Sequence, residues 1–370
     1  MSFVNRFNQL NWDDTYLSIY GKTSHDVEIA LSKTSLTLED FKALISPAAE
    51  PYLEQMAQRS AALTRQRFGH TVSMYIPLYL SNLCSNACTY CGFSMENRIK
   101  RKTLNETEIS AEAHAIKKMK FDSVLLVTGE HETKVGMEYF SRALPVIKNE
   151  FSYVAMEVQP LDQTDYEELK ALGLDAVMVY QETYHPSTYA KHHLRGKKQD
   201  FYYRLDTADR LAKAGIDKIG IGALIGLEDW RTDSLYVAAH LDYLQRTYWQ
   251  TRYSISFPRL RPCEGSLKPK SEMSDRQLVQ LICAYRLFSH DVELSLSTRE
   301  APIFRDNILP LGITSMSAAS KTQPGGYASA TEELEQFEIS DERSTQDIEV
   351  MIRKNGFAPV WQDWHSSYSG

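Results

Sequence analysis

The spacing of apolar and polar positions changes once along this chain, near residue 70. Before that point apolar residues recur every three to four positions, the period that buries one face of a helix. Ser24 opens Ser-His-Asp-Val-Glu-Ile-Ala-Leu-Ser-Lys, Thr37 precedes Leu-Glu-Asp-Phe-Lys-Ala-Leu-Ile, and Pro51–Arg67 keeps the same rhythm. Residues 1–70 are therefore expected to form a helical N-terminal extension. From Thr71 the pattern becomes short β-branched runs separated by amphipathic stretches. The expected strands are Val72–Leu80, Ser123–Thr128, Tyr153–Val158, Ala176–Tyr180, Lys218–Leu224, Tyr253–Phe257, Glu293–Ser297 and Thr314–Ser317. Helices are expected over Glu106–Met119, Lys134–Lys148, Asp165–Leu172, Asp200–Ala214, Ser234–Tyr248, Asp275–Phe288 and Pro302–Ile308. Gly173, Gly215 and Gly312 fall where a helix would end and release the chain into the next strand. This alternation predicts an α/β fold, a (β/α)8 TIM-type barrel over residues 71–319, in preference to a doubly wound sheet. Residues 320–370, rich in Gly, Glu and Ser, are expected to be a short C-terminal extension packing on the barrel. In such a barrel the strand-to-helix loops gather at one face, where chemistry is to be sought.

Composition narrows the class without changing the fold. Hydrophobic residues at 43% and charged residues at 24% suit a globular protein with a sizeable core. A net charge of −7 leaves no basic footprint for nucleic acid. Arg98-Ile-Lys-Arg-Lys102 is the one dense basic run, either a solvated loop or a docking patch for an acidic electron donor. No apolar window approaches the ~18 residues of a membrane span. The start, Met1-Ser-Phe-Val-Asn-Arg-Phe7, has neither a secretory apolar core nor transit-peptide character, so a cytoplasmic location is expected. Five cysteines in 370 residues suit a reducing compartment better than a disulfide framework.

The chemistry concentrates in Cys84-Ser-Asn-Ala-Cys88-Thr-Tyr-Cys91. A C-x3-C-x2-C run offers three thiolates, the soft ligands of iron–sulfur clusters, one fewer than the usual four. A cubane held by three would leave one iron open to a small molecule. A closed zinc site would need a fourth Cys or His at short spacing, which neither Gly92–Arg101 nor Tyr75–Leu83 supplies. Cys263 and Cys283 belong to no motif and are expected to be inert.

Other candidates follow the expected strands. Thr128-Gly129-Glu130-His131 combines a glycine that permits close backbone approach with a carboxylate that can accept from an ammonium. Glu157 ends an otherwise apolar run, so it must face something polar: a ribose, a substrate amine or a structural ion-pair partner. Val179–His185 is dense in hydrogen-bonding groups, and Arg204 downstream could grip a carboxylate bidentately. Gly220, Gly222 and Gly226 imply close approach of another backbone or of a ligand. Arg259, Arg261 and Arg299, with Ser297, read as cations converging on an anionic partner such as an amino-acid carboxylate.

The cysteine run, with Tyr90 before its last member and an apolar strand before its first, resembles the radical S-adenosylmethionine (SAM) superfamily. That resemblance implies a 4Fe–4S cluster on Cys84, Cys88 and Cys91, whose open iron chelates the methionine end of SAM. It implies Tyr90, Gly222 and Leu224 near the adenine, with Asp229 at the acidic position of the fifth-strand motif. Gly129 and Glu130 would hold the SAM amino group, although Thr128 stands where the family has glycine, and Arg204 would hold its carboxylate. The runs Pro77–Cys84, Gly92–Ser94, Val179–His185, Pro258–Pro262, Leu296–Glu300 and Ser320–Tyr327, with Leu10–Asp14 and Ile45–Ala49, are similar to the tyrosine lyases of thiamine thiazole formation. Members of that family are carbon–carbon lyases that cleave L-tyrosine at Cα–Cβ to 2-iminoacetate and p-cresol, converting SAM to methionine and 5′-deoxyadenosine. The resemblance further implies Arg299 and Ser297 on the tyrosine carboxylate, a complex with thiazole synthase, and flavodoxin or a similar one-electron donor. No cysteine follows Cys283, which separates the chain from hydrogenase-maturation relatives with a second cluster. A tryptophan lyase would share the barrel and differ in the pocket. A metal-binding accessory protein without turnover would lack SAM binding.

Overall fold

The computed structural model describes residues 2–261, 267–328 and 336–362. Eight parallel strands carry it: β1 (Thr71–Ser81), β2 (Ser123–Thr128), β3 (Tyr153–Glu157), β4 (Ala176–Met178), β5 (Lys218–Ile221), β6 (Arg252–Ser256), β7 (Glu293–Leu296) and β8 (Ser315–Ser317). Each pairs with the next, and β8 returns to β1 with Ser73 opposite Ser315 and Tyr75 opposite Ser317, closing the barrel. All eight strands stand where the alternation predicts. A ninth strand, β9 (Ala358–Val360), pairs in parallel with the first residues of β1, Thr71 opposite Ala358.

The alternation within β1 explains how the barrel is both packed and hollow. Val72, Met74, Ile76, Leu78 and Leu80 point outward into the hydrophobic layer beneath the helices. The intervening Ser73, Tyr75, Pro77 and Tyr79 line interior cavities. Successive side chains of a strand face opposite ways, so one strand serves both purposes. A TIM barrel normally fills its interior with bulky branched side chains. Here Ser254 and Ser256 on β6, Ser295 and Ser297 at β7, and Ser315 and Ser317 on β8 line it instead. Small residues on that side leave space within the barrel.

Most helices follow the pattern, and the departures have local causes. The helix Asp275–Phe288 matches its prediction, capped by Ser274. The expected helix 200–214 is two helices, Phe201–Leu205 and Thr207–Lys213, separated at Asp206. The helix after β5 begins at Trp230, ahead of the expected Ser234, because the Asp229 carboxylate caps it by accepting from Thr232 N at 2.9 Å. Thr23, not Ser24, caps the helix Ser24–Ser32, sharing a capping box with Asp26. Gly173 and Gly215 adopt φ of +99° and +76° at helix ends, as glycine allows. Gly312 does not. It is the last residue of the helix Pro302–Gly312, and an added Cβ would lie 3.2 Å from Ile282 Cγ2 and Ser60 Oγ, so close packing selects it.

The N-terminal helices lie against the outer helices that follow β5 to β7. Phe3 stacks on His240 at 3.9 Å, Phe41 packs on Tyr285 and Phe288, and Gln280 Nε2 donates to Leu44 O and Ser46 O. From residue 336 onward the chain is tied back by the buried pair of Arg305 and Asp341, and by the edge-to-face contact of Trp361 on Phe121.

Candidate active site

The cysteine loop leaves β1 and is held in place from several sides. Ala87 and Cys88 form a two-residue strand that pairs antiparallel with Arg195 and His193. Arg101 donates to four carbonyls, Asn82 O (2.7 Å), Phe93 O (2.8 Å), Ser94 O (2.6 Å) and Asn97 O (3.2 Å), clamping both ends of the loop. Within the basic run, Arg101 is therefore a structural anchor, while Arg98 and Lys100 face solvent. Gly129 N donates to Ser81 O at 2.8 Å, and a Cβ on Gly129 would sit 2.4 Å from Leu83 O. The absence of a side chain here lets the cysteine loop pass close to β2. Asn86 N donates to Cys84 Sγ at 3.5 Å, and Gln336 Nε2 lies 3.9 Å from Cys91 Sγ. Burial first, and the Glu130 carboxylate second, push the Cys84 thiol up to about 11; burial also raises Cys88. A cation bound at these sulfurs must therefore displace their protons.

Beside the loop lies a buried four-charge network. Glu130 Oε1 accepts from Arg204 Nη1 at 3.0 Å, and Lys198 Nζ meets Glu182 Oε1 at 2.8 Å. The cross pairs Arg204–Glu182 and Lys198–Glu130 are at 3.5 and 3.8 Å. Asn86 Nδ2 donates to the second Glu130 oxygen at 2.7 Å, and Arg204 Nε to Tyr180 O at 2.7 Å. Burial alone would raise both glutamates, but Lys198 and Arg204 outweigh it and hold them below the usual carboxylate range. Glu182 has a φ of +69°, unusual outside glycine, and is fixed there by bonds from Gln181 N to Gly222 O and from Leu224 N to Glu182 O. Tyr90 OH donates to His193 Nε2 at 2.8 Å while His193 Nδ1–H donates to Tyr189 O at 2.7 Å. Burial, and then Lys198, lower the His193 pKa to about 2, so the imidazole stays neutral.

Two opposite charges face the cavity outside this network. Glu157, at the end of β3, makes no ion pair among the described residues. Burial raises its carboxyl to about 7 despite the field of Arg299. The Arg299 guanidinium has no carboxylate partner among the described residues and lies 3.3 Å over the Phe337 ring. Ser297 Oγ accepts from Arg299 N at 3.4 Å. The lumen continues to Tyr180 OH, which donates to Ser256 Oγ at 3.1 Å, and to Tyr75 OH, which accepts from Ser295 Oγ at 3.3 Å. The cavity thus runs from Cys91 and Tyr90 at the loop to the hydroxyls of Tyr75 and Tyr180.

The structure thus brings Tyr90, Cys91, Glu130, Glu157, Arg204, Leu224, Ser297 and Arg299 to one cavity. Cys84 and Cys88 lie on the loop at its edge. Gly222 lies behind the wall, where a Cβ would meet Ser256 O at 2.9 Å and the Tyr180 ring at 3.2 Å, so it admits a neighbouring strand and ring. Asp229 lies away from the cavity; it caps its helix and accepts from Tyr20 OH at 2.7 Å. The expected convergence of arginines on an anionic ligand is reduced to Arg299, because Arg259 and Arg261 both pair with Glu300. Cys283 is buried in its helix with its thiol raised to about 12, and Cys263 lies outside the described residues. Lys198 and Glu182 were not singled out from sequence. Glu182 stood within a run noted for its polarity, whereas Lys198 carries no local signal.

Comparison with known proteins places this cavity in a chemical context. The profile of the Radical SAM superfamily matches residues 78–236, and that of the Biotin and Thiamin Synthesis associated domain matches residues 256–358. The 2-iminoacetate synthase of Escherichia coli (strain K12) is 62% identical over 366 residues, 99% of this chain and 97% of the relative. The chain belongs to the 2-iminoacetate synthase family. The enzyme of that name from Salmonella typhimurium is 61% identical over the same length. Among solved structures, the FeFe-hydrogenase maturase HydG from Carboxydothermus hydrogenoformans superposes with a TM-score of 0.88 at 32% identity, covering 95% of this chain and 83% of that one.

The family is one of radical SAM lyases that use a 4Fe–4S cluster and SAM, and the donor set fits both. Among the described residues no three His, Cys, Asp or Glu side chains converge as ligands of a single ion would. A cubane differs in spreading its thiolates over separate irons, as three sulfurs along one loop allow, and N–H donors near Cys84 and Cys91 suit sulfur ligands. The paired charges beside the loop match a zwitterionic amino-acid end.

Proposed function

We propose that this chain cleaves the Cα–Cβ bond of L-tyrosine, giving 2-iminoacetate and p-cresol while SAM becomes methionine and 5′-deoxyadenosine, for assembly of the thiamine thiazole in the cytoplasm. The observation that carries the reading is the pair of uncompensated charges, Arg299 and Glu157, in a cavity whose other ionic groups neutralise one another. An amino-acid zwitterion supplies the two missing partners.

Cys84, Cys88 and Cys91 would hold the cluster. Bound and reduced by one electron, cluster and SAM together supply a 5′-deoxyadenosyl radical that takes a hydrogen atom from tyrosine. The chain's own groups do the rest by placement. Glu130 and Glu182 face the methionine ammonium, Arg204 and Lys198 its carboxylate, and Tyr90 and Leu224 flank the adenine. The guanidinium of Arg299, with Ser297, holds the tyrosine carboxylate. The Glu157 carboxyl, titrating near neutrality, accepts a hydrogen bond from the substrate amine or the ribose. Hydroxyls of Tyr75 and Tyr180 deeper in the lumen receive the phenol end. A closed barrel excludes water and stray hydrogen donors from the reactive carbon. Because 2-iminoacetate hydrolyses in water, direct transfer to a bound thiazole synthase follows, and a flavodoxin or similar carrier supplies the electron.

The test is anaerobic reconstitution with iron and sulfide, then dithionite, SAM and L-tyrosine, with product analysis by mass detection. 5′-Deoxyadenosine and p-cresol together are expected. Deoxyadenosine without p-cresol sinks tyrosine as substrate and directs the search to tryptophan. Cys88→Ala should abolish both products while leaving the circular dichroism spectrum unchanged; deoxyadenosine from that variant would refute the cluster assignment.

A further inference from the structure

We propose that Met178 sets the depth of the substrate lumen and so decides which aromatic amino acids the chain accepts; this rests on the reading above, which places the phenol end of tyrosine against Tyr75 and Tyr180. The barrel interior holds a second chamber beneath the candidate active site. Six residues line both chambers: Tyr75, Leu125, Met178, Tyr180, Ser256 and Ser295. They form a waist at the level where the phenol ring would end. Part of this waist is closed by hydroxyl pairs, Tyr75 with Ser295 and Tyr180 with Ser256. The arc in front of β5 is closed by Met178.

The register of three strands explains how one methionine does this. Met178 on β4 stands opposite Gly220 on β5, and Gly220 stands opposite Ser254 on β6. Gly220 brings no side chain to the lumen, and that of Met178 occupies the space instead: a Cβ added to Gly220 would lie 2.1 Å from Met178 Sδ. The sulfur reaches on to β6, where Ser254 Oγ donates to it at 3.7 Å. One unbranched side chain thus bridges β4 to β6 along the lumen wall. A thioether is a weak acceptor on a flexible stem, so packing over Gly220 rather than bonding holds it there. The lower chamber, about 60 Å³, is lined by Ser73, Ser123, Ser254 and Ser315 and floored by the Lys218–Glu293 pair at 2.9 Å. A water needs about 10–15 Å³ of such space, so a short polar chain of about three non-hydrogen atoms fits. Tyrosine ends at the waist. A tyrosine extended at its phenol oxygen runs into Met178.

The probe is O-(2-hydroxyethyl)-L-tyrosine, which adds a short chain ending in a hydroxyl. Its inhibition constant against L-tyrosine in p-cresol formation is measured on the reconstituted enzyme. The parent should bind it about tenfold or more below L-tyrosine, and equal binding overturns the proposal. In Met178→Ala the constant should fall about tenfold or more, while KM for L-tyrosine moves less than about threefold. Met178→Leu keeps the volume and should stay near the parent. Adding Ser254→Leu to Met178→Ala refills the opened space and should return the constant to the parental range. An unchanged constant in Met178→Ala overturns the proposal. So does a gain that survives Ser254→Leu, or one matched by L-tyrosine itself, because either marks a general loosening rather than added depth. Should Met178→Ala fail to fold, Met178→Val suits a strand better and carries the same expectation. Absence of p-cresol from the parent with L-tyrosine would instead defeat the underlying tyrosine reading.

Discussion

At the scale of single residues, the cavity separates charges that are satisfied from charges that wait for a partner. Glu130, Glu182, Lys198 and Arg204 neutralise one another at 2.8–3.8 Å. Glu157 and Arg299 do not, and their responses to substitution should differ accordingly. Unfolded, the Glu157 carboxyl titrates near 4.5; folded, near 7. Between those values the folded protein keeps a proton the unfolded chain has lost, so the associated stability is full below about 4.5 and lost as pH rises through about 7. Glu157→Gln should therefore melt close to the parental temperature at pH 4 but about 2 °C or more higher at pH 8 in the ligand-free protein, as calorimetry would reveal. An unaltered difference between the two pH values would mean the carboxylate has a partner. Arg299→Ala removes a charged donor to substrate, a loss of about 1.5–3 kcal/mol, so p-cresol formation should fall about 10- to 100-fold in kcat/KM while some deoxyadenosine persists. Loss of both products in equal measure would place Arg299 on SAM.

At the scale of elements, the cysteine loop is irregular and depends on neighbours for its shape. Arg101 does most of this, with four carbonyl acceptors from Asn82 to Asn97. A lysine cannot reproduce that fork, so Arg101→Lys should rescue Arg101→Ala poorly. Arg101→Ala is expected to lower stability by about 2–4 kcal/mol in urea titration and to reduce iron retained per chain after reconstitution. Full iron content with unchanged stability would show that the loop holds itself. The neighbouring strand His193–Arg195 was not legible from pattern, because a three-residue pairing carries no periodicity to read.

At the scale of the molecule, the chain beyond the barrel is tied to it through ions and a strand as well as apolar contact. Arg305 and Asp341 are both fully buried and paired, with Arg343 bridging Asp341 to Asp306. Removing one partner of a buried pair strands the other charge, which costs about 3–5 kcal/mol. Asp341→Ala should therefore lower the unfolding free energy in denaturant titration by that amount, a far larger effect than the exposed Arg353–Glu349 pair could give; a change below about 1 kcal/mol would show the segment to be independent of the barrel.

The sequence by itself determined the eight strands, the barrel they form and the three cysteines. These are local properties: period-2 and period-3.6 burial repeat within a few residues, and thiolates at C-x3-C-x2-C spacing need no distant partner to be recognised. Helix limits were legible wherever a cap stood beside an apolar run, as at Ser274, and were missed where Asp229 capped a helix from within a polar stretch. Only the tertiary structure decided which charges are free. Arg259, Arg261 and Arg299 read alike in sequence, yet Glu300 takes the first two and leaves the third facing the cavity. Gly129 and Gly222 read as sites of close approach, and only the fold shows which protein atoms stand there, Leu83 O beside the first and Ser256 O with the Tyr180 ring beside the second. Lys198 joined the site through a fold that sets it between Glu130 and Glu182, residues 68 and 16 positions away. Pairing across such separations depends on how β2, β4 and the loop after them meet in space, and no local spacing records it.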